Sequence, residues 1–224
     1  MERDRTLIGE AAEDCLKAIC TLQEPGGLVA TSALAGRLGV TEPTVTAMIK
    51  RLARLGLVRH TPYRGVGLTP AGEKVALEVI RHHRLLELYL VEALGLRWDQ
   101  VHREAERLEH LISDEVETRI DEVLGHPTLD PHGDPIPSRD GRLDPIEDRS
   151  LAELEPGDRA SVGRVPDGDP DLLRYLAQIG LVPRASVEMV EKAPFGGPLT
   201  LQVGGARRSI GQELASAIRV WPAE

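Results

Sequence analysis

The sequence predicts a mainly α-helical protein with a small β part: an N-terminal winged helix-turn-helix, a helical middle and a small, partly open C-terminal β-barrel. Three observations carry that reading. Apolar residues recur at helical spacing from about residue 9 to residue 124. A short basic segment with turn residues breaks the pattern at 57–69. After a proline-rich stretch, short apolar runs alternate with glycine pairs.

Each element has its own signal. Ala12, Cys15, Leu16, Ile19 and Leu22 form one helical face over 9–23, which Glu24-Pro25-Gly26-Gly27 ends. A second helix, about 32–38, has Thr31 as N-cap, and Gly39-Val40-Thr41 makes a tight turn. A third, about 42–55, turns Val45, Met48, Ile49, Leu52 and Leu55 inward, with Gly56 placed to cap it. Residues 57–61 and 66–69 read as a hairpin around Pro62-Tyr63-Arg64-Gly65. Thr69 and Pro70 supply the N-cap and first turn of a long helix to about Leu94. Further helices are expected over about 98–112 and from 113 to near Gly125. Residues 126–150 hold five prolines and no apolar period, which predicts a linker or an irregular surface segment. Beyond it, 160–165, 186–190 and 199–203 read as strands, and 170–179 as a short helix.

Composition narrows the function. The 224 residues suit two or three domains, and 41% hydrophobic with 28% charged residues suffices for buried cores. No apolar run reaches membrane-span length, and Met1-Glu2-Arg3-Asp4-Arg5 lacks the apolar stretch of a signal peptide, so a soluble cytoplasmic protein is expected. Cys15 and Cys20 have neither metal-knuckle nor disulfide-framework spacing. Aromatics at 3% argue against a base-stacking RNA platform. The net charge of −9 is uneven. Residues 31–74 carry seven Lys or Arg against two acids, whereas 75–224 carry 17 against 28. A local positive field attracts phosphate whatever the total charge, so DNA stays open as a partner.

Two constellations carry chemistry. Helix, turn, helix and basic hairpin follow in order from Thr31 to Thr69, the order of a winged helix-turn-helix. Its second helix would enter the major groove by its N-terminal end, placing Thr41, Glu42, Pro43, Thr44 and Thr46 near bases and phosphates. Lys50, Arg51 and Arg54 extend the positive face, and Arg64 on the wing can reach a phosphate or the minor groove. The second constellation is a set of imidazoles and carboxylates. His83 and Glu87 stand four apart, and His102, Glu106, Glu109 and His110 share one helical face. If these faces meet, they form a bundle-type site suited to Mn²⁺, Fe²⁺, Co²⁺ or Zn²⁺; a solvated polar face is the alternative. His82, beside His83, reads as a surface residue.

The run from Arg81 to Glu87, followed by that from Val101 to His110, resembles the metal-dependent regulators of the diphtheria toxin repressor family, with its manganese transport regulator branch especially similar. The resemblance covers nearly the whole chain. Pro131-His132-Gly133-Asp134-Pro135-Ile136-Pro137 is similar to the family's segment before a third domain, and 151–224 looks like its SH3-like domain. The resemblance implies a primary metal site of Asp14, Glu106, Glu109 and His110. It implies an ancillary site of His83, Glu87 and His102, completed from the SH3-like domain by Asp169 or Asp171. Carboxylates at Asp14 and Glu106 match the manganese branch, but Lys17 stands where that branch has an acid. Leu172 sits near the family's side-chain amide and cannot coordinate.

The expected organisation is a DNA-binding domain over 1–74, a helical dimerisation and metal-binding domain over 75–140, a linker over 141–150 and an SH3-like domain over 151–224. The expected protein is not an enzyme. It is a homodimeric transcriptional regulator that takes Mn²⁺ or Fe²⁺ at two sites per subunit and then binds a palindromic double-stranded DNA operator. Metal would fix two recognition helices at half-sites about 34 Å apart. A winged-helix regulator of a non-metal ligand and a carboxylate metalloenzyme are the competing readings. Against the enzyme, neither a nucleophile motif nor a phosphate loop accompanies the ligand set.

Overall fold

The structure, a computed structural model, describes residues 8–23, 27–143 and 146–222. The Glu24-Pro25-Gly26 part of the expected turn, the charged residues 1–5 and Pro145 lie outside the described residues. The chain divides into two compact units. The first holds the described residues of Met1–His83, with Leu108–Glu122 and Pro137–Leu143. The second holds Arg84–Arg107, Val123–Ile136 and the described residues of Asp144–Glu224.

The first unit begins with α1 (Glu10–Leu22), α2 (Thr31–Leu38) and α3 (Glu42–Arg54). Ala12, Cys15, Leu16 and Ile19 of α1 meet Leu34 of α2 and Val45, Ile49 and Leu52 of α3 in one core. Gly39 ends α2 in the left-handed conformation at φ 64°, which lets the chain turn sharply into α3. Then come β1 (Val58–Thr61) and β2 (Gly65–Leu68), paired antiparallel with Val58 opposite Leu68. Val29 bridges to Val66 on the other side of β2. Helix α4 (Pro70–Glu92) opens as its sequence signal predicts: the Thr69 hydroxyl accepts from Gly72 N–H and donates to the Gly56 carbonyl.

Two helices follow, α5 (Val101–Leu108) and α6 (Asp114–Val123). The helix expected over 98–112 is shorter at both ends. Gln100 N–H bonds to the Arg97 carbonyl in a turn before it, and Leu111 N–H to the Leu108 carbonyl closes a turn after it. Glu109 and His110 therefore lie in that turn rather than on the helical face of His102 and Glu106.

His82 is not a surface residue. It is fully buried, and its Nδ1 donates to the Glu109 carbonyl at 3.1 Å. Next to it, buried Arg81 reaches Glu117 Oε1 at 2.5 Å, Asp121 Oδ1 at 3.1 Å and the Pro137 carbonyl at 2.9 Å. This network joins α4 to α6.

The second unit is built on a six-stranded antiparallel sheet, in the order β3-β8-β4-β5-β6-β7. The strands are β3 (Arg149–Ser150), β4 (Arg159–Arg164), β5 (Ser186–Lys192), β6 (Leu199–Val203), β7 (Ala206–Ile210) and β8 (Arg219–Pro222). Register shifts at Val162/Arg164 and Met189/Glu191 mark bulges in it. Helices α7 (Pro170–Ile179) and α8 (Gln212–Ala217) help to enclose a core containing Leu151, Leu173, Leu176, Met189 and Leu201. The sequence pattern locates β4, β5, β6 and α7 but not β3, β7, β8 or α8. β7 carries Arg207 and Arg208 on a five-residue strand, too polar to stand out.

Much of the expected linker is built structure. Leu129 bridges to Pro135, and the Asp130 carboxylate accepts the N–H groups of His132 and Asp134 at 2.8 and 2.9 Å. Among the described residues, no helix is long and apolar enough to cross a membrane.

Burial works to raise the Glu117 carboxyl, but His82 and Arg81 outweigh it and hold the group at about 2. A depressed carboxyl stabilises the fold above its ordinary value of 4.5 and loses that contribution as pH falls toward 2. Glu117→Gln is expected to flatten stability across that acid range and, at pH 7, to cost about 2 kcal/mol by removing one charged hydrogen bond, with Asp121 and the Pro137 carbonyl still holding Arg81. Urea unfolding at stepped pH checks both, and an unchanged slope would refute the assignment.

Candidate metal centres and nucleic-acid interface

In the first unit, α1 presents Glu13, Asp14 and Lys17 within about one turn, opposite the turn that carries Glu109 and His110. His110 lies between two carboxylates: Nδ1 is 2.6 Å from Glu13 Oε2 and Nε2 is 2.9 Å from Asp14 Oδ1. Ligand atoms of Asp14, Glu109 and His110 all lie within 4.8 Å of one another, close enough for one ion. Glu109 is 1% exposed and accepts from Lys17 Nζ at both oxygens, at 2.9 and 2.8 Å. His83 Nδ1 contacts the same carboxylate and lies 3.1 Å from Lys17 Nζ. Burial opposes protonation of His110, but bonding to Asp14 and Glu13 and the charges of Asp14 and Glu109 lift it to about 10. Burial would raise the Glu109 carboxyl, yet His83 and Lys17 hold it low.

A second cluster lies in the second unit. Glu87 of α4 is fully buried, with His102 Nδ1 of α5 3.0 Å from its Oε1. His132 Nδ1 is 3.7 Å from Glu87 Oε2, and Asp167, between β4 and α7, lies 3.8 Å from His102 Nδ1. Ligand atoms of Glu87, His132 and Asp167 fall within 4.8 Å of one another. His132 Nε2 donates to the Trp98 carbonyl at 2.9 Å, and the two rings stack at 5.6 Å. That bond fixes the tautomer and points Nδ1 at the cluster, where it is buried and has no hydrogen-bond partner among the described residues. Burial opposes protonation of His132 as well, but Glu87 and Asp130 lift it to about 9. Burial and the charges of Glu87 and Asp134 push the Asp130 carboxyl upward.

These positions change the expected ligand set. Glu106 belongs to the second unit, half-exposed on α5, with its carboxylate 3.4 Å from His102 Nε2. The Asp169 carboxylate accepts from Asp171 N–H and Leu172 N–H, capping α7. Asp171 is 83% exposed and pairs with Arg174. Asp167, two residues earlier, is the aspartate that reaches the cluster. Sequence reasoning missed Glu13, His132 and Asp167. The available signal for His132 was its place in the Pro131–Pro137 motif; Glu13 and Asp167 had none beyond a neighbouring acid.

The winged-helix residues are disposed as a face. Thr41, Pro43, Thr44 and Lys50 are exposed on α3 and the residue before it, and Thr46 is half-buried. Arg51 is exposed, and its Nη2 donates to the Ile8 carbonyl at 3.0 Å. Arg64 is exposed at the hairpin tip beside Tyr63, itself fully exposed at φ 62°.

Residues 8–66 match the family model for the N-terminal DNA-binding domain of iron-dependent repressors. Residues 69–138 match that for their metal-binding and dimerisation domain, and 149–222 match the FeoA domain. The chain is 35% identical over 223 residues to the iron-dependent repressor IdeR of Mycobacterium tuberculosis, covering 94% of this chain and 96% of that one. It is 31% identical over 225 residues to the diphtheria toxin repressor of Corynebacterium diphtheriae, with 94% and 96% covered. A solved manganese-dependent transcriptional repressor in complex with manganese superposes with a TM-score of 0.87 at 42% identity, covering 95% of this chain and 100% of that one.

The loop that carries His132 depends on Gly133, whose φ is +93° and where an added Cβ would stand 1.9 Å from the Gly163 carbonyl oxygen. Gly133→Ala is expected to displace the loop at a cost of about 2 kcal/mol. It should also shift tryptophan emission to longer wavelength as Trp98 loses its stack on His132. Urea unfolding followed by fluorescence checks this; an unchanged midpoint and spectrum would show that the loop tolerates a Cβ.

Proposed function

This chain belongs to the iron-dependent repressor family and is a metal-dependent transcriptional repressor; on that premise we propose that it responds to Mn²⁺, with Fe²⁺ next, and binds a palindromic operator as a homodimer when loaded. The observation that carries the reading is His110, held on both ring nitrogens by carboxylates of α1. The cluster therefore joins α1 to the turn after α5.

The donors fit a divalent ion. In the first unit Asp14, Glu109 and His110 would hold it, with Glu13 beside them. In the second unit Glu87, His132 and Asp167 would hold another, with His102 adjacent. The buried Nδ1 of His132, aimed at Glu87 and Asp167, is the kind of donor a metal satisfies. Oxygen-rich sets with imidazole and no thiolate suit Mn²⁺ and Fe²⁺, and the similar repressor solved with manganese supports the same choice. A bound ion supplies a fixed positive charge that gathers these side chains.

The residues of this chain then do the mechanical work. Asp14 and Glu13 tie α1 to His110, and α1 shares its core with α3 through Leu16, Ile19, Val45 and Ile49. Fixing α1 thereby limits how far α3 can swing, and α3 carries Thr41, Pro43, Thr44, Thr46, Lys50 and Arg51 toward DNA. Arg64 would add a phosphate or minor-groove contact. Because metal and DNA favour the same arrangement, each raises affinity for the other.

The test is DNA binding to a pool of random sites, followed by titration of the selected site with each divalent ion. Mn²⁺ is expected to strengthen binding by more than tenfold over chelator-treated protein, with Zn²⁺ bound but less effective. Asp14→Ala is expected to abolish that gain. Equal DNA affinity with and without metal would overturn the reading.

Lys50→Ala and Arg64→Ala are each expected to lower the slope of log affinity against log salt by about one, as loss of one phosphate contact requires. Unchanged slopes in both would move the DNA face elsewhere.

A further inference from the structure

The tip of the β1–β2 hairpin carries a tyrosine that the fold does not use. Tyr63 is 109% exposed, so its ring is buried against nothing in the protein. Its backbone is strained as well. The turn Thr61-Pro62-Tyr63-Arg64 closes with Arg64 N–H donating to the Thr61 carbonyl at 3.0 Å. Proline at the second position and a positive φ at the third make it a type II turn. That third position favours glycine, because an L side chain there crowds its own backbone. Tyr63 holds it at φ 62°. One residue thus combines a strained backbone with an apolar ring in water, and a glycine would have neither cost. Strain that the fold does not require points to a contact made outside it.

The tip has a set place beside α3. Leu57 N–H bonds to the Leu52 carbonyl, which ties the start of the hairpin to the end of α3. Val29 and Val66 exchange hydrogen bonds at 2.8 and 3.0 Å on the far side of β2. Gly65 packs so closely there that an added Cβ would stand 2.5 Å from the Val29 carbonyl oxygen. Arg59 and Arg64 are exposed near the ring, and no acidic residue occurs from Leu55 to Gly72. A flat ring with a hydroxyl, set among guanidiniums without a carboxylate, complements the groove of a polyanion. With α3 in the major groove, a hairpin beside it lies over the adjoining minor groove. There the guanidiniums face phosphates and the phenol faces the groove floor.

We propose that Tyr63 is a specificity-determining residue, whose ring enters the minor groove beside the half-site contacted by α3 and favours A·T pairs there. At A·T the floor of that groove offers only acceptors, adenine N3 and thymine O2, to which the phenol hydroxyl can donate. At G·C the guanine amino group stands on the floor and obstructs the ring. The inference rests on the DNA reading above and adds to it a contact without charge, which separates Tyr63 from its neighbour Arg64.

The experiment uses the full chain loaded with Mn²⁺ and duplexes that differ only in the pairs flanking the selected half-sites. The parent is expected to prefer A·T flanks over G·C flanks by about tenfold. Tyr63→Gly is expected to lose that preference and to bind the A·T-flanked duplex about tenfold more weakly. Its slope of log affinity against log salt is expected to stay unchanged, because no phosphate contact is lost. Its melting temperature is expected to rise by about 2 °C as the strain is relieved, so stability and affinity move in opposite directions. Tyr63→Asn, whose side chain tolerates positive φ, is expected to show the same loss of affinity and preference without the flexibility of glycine. A parent indifferent to the flanks overturns the proposal. So do two variants that keep its affinity and preference, a result that would assign the tip to a protein partner. A lower melting temperature for Tyr63→Gly overturns it too, by giving the ring a structural role. If the loaded parent selects no DNA at all, the DNA reading falls, and this inference falls with it.

Discussion

A carboxylate removed from water needs polar partners around it, and Glu109 has three within reach: the Lys17 ammonium and the imidazoles of His83 and His110. Much of the first unit is arranged around that requirement. α1 supplies Lys17, α4 supplies His83, and the chain stops being helical at Leu108 so that Glu109 and His110 can turn inward. The backbone carbonyl of Glu109 is satisfied as well, by His82, which explains why a histidine beside a ligand is fully buried. His82 also lies 3.6 Å from Glu117, so the cluster runs on into the Arg81 network that holds α6.

The elements with a strong local signal were legible in the sequence. The winged helix follows from apolar spacing in α1 and α3, from Gly39, and from the Thr69-Pro70 helix start. The ligand-bearing helices were legible too, because His83 and Glu87 stand four apart on one and His102 and Glu106 four apart on the next. Tertiary placement was not. Extending α5 to residue 112 put Glu106, Glu109 and His110 on one face, whereas a turn separates them. His132 lies in a proline-rich loop, where no periodicity marks burial. Its role arises from the Asp130 carboxylate gathering two backbone N–H groups and from Gly133 approaching Gly163. Asp167 against Asp169 and Asp171 is a choice among near neighbours. In the structure Asp169 caps α7, Asp171 pairs with Arg174 and Asp167 lies at the cluster, and none of this is visible in composition.

Charge distribution fits the same division. The basic excess sits in residues 31–74 and the acidic excess in 75–224, which include Glu87, Glu109 and Asp167 of the two clusters. An overall charge of −9 is therefore compatible with a DNA-binding face, since steering depends on the field near α3 and the hairpin. Lys50 and Arg64 contribute to that field as exposed charges, while Arg51 spends one donor on the Ile8 carbonyl and so also ties α3 to the chain just before α1.

The two clusters answer the problem of buried negative charge in related ways. In both, an imidazole sits among carboxylates that favour its protonated form and raise it to about 10 for His110, between Glu13 and Asp14, and about 9 for His132, beside Glu87. A divalent ion held at either cluster would compete for the same lone pairs and so displace a proton. Lys17 differs because its charge cannot leave. With Glu109 already paired to Lys17, an ion held there would gather Asp14 and His110 onto a carboxylate that is already placed. The ordering that remains to be driven by metal is then concentrated on α1, the element that shares its core with α3.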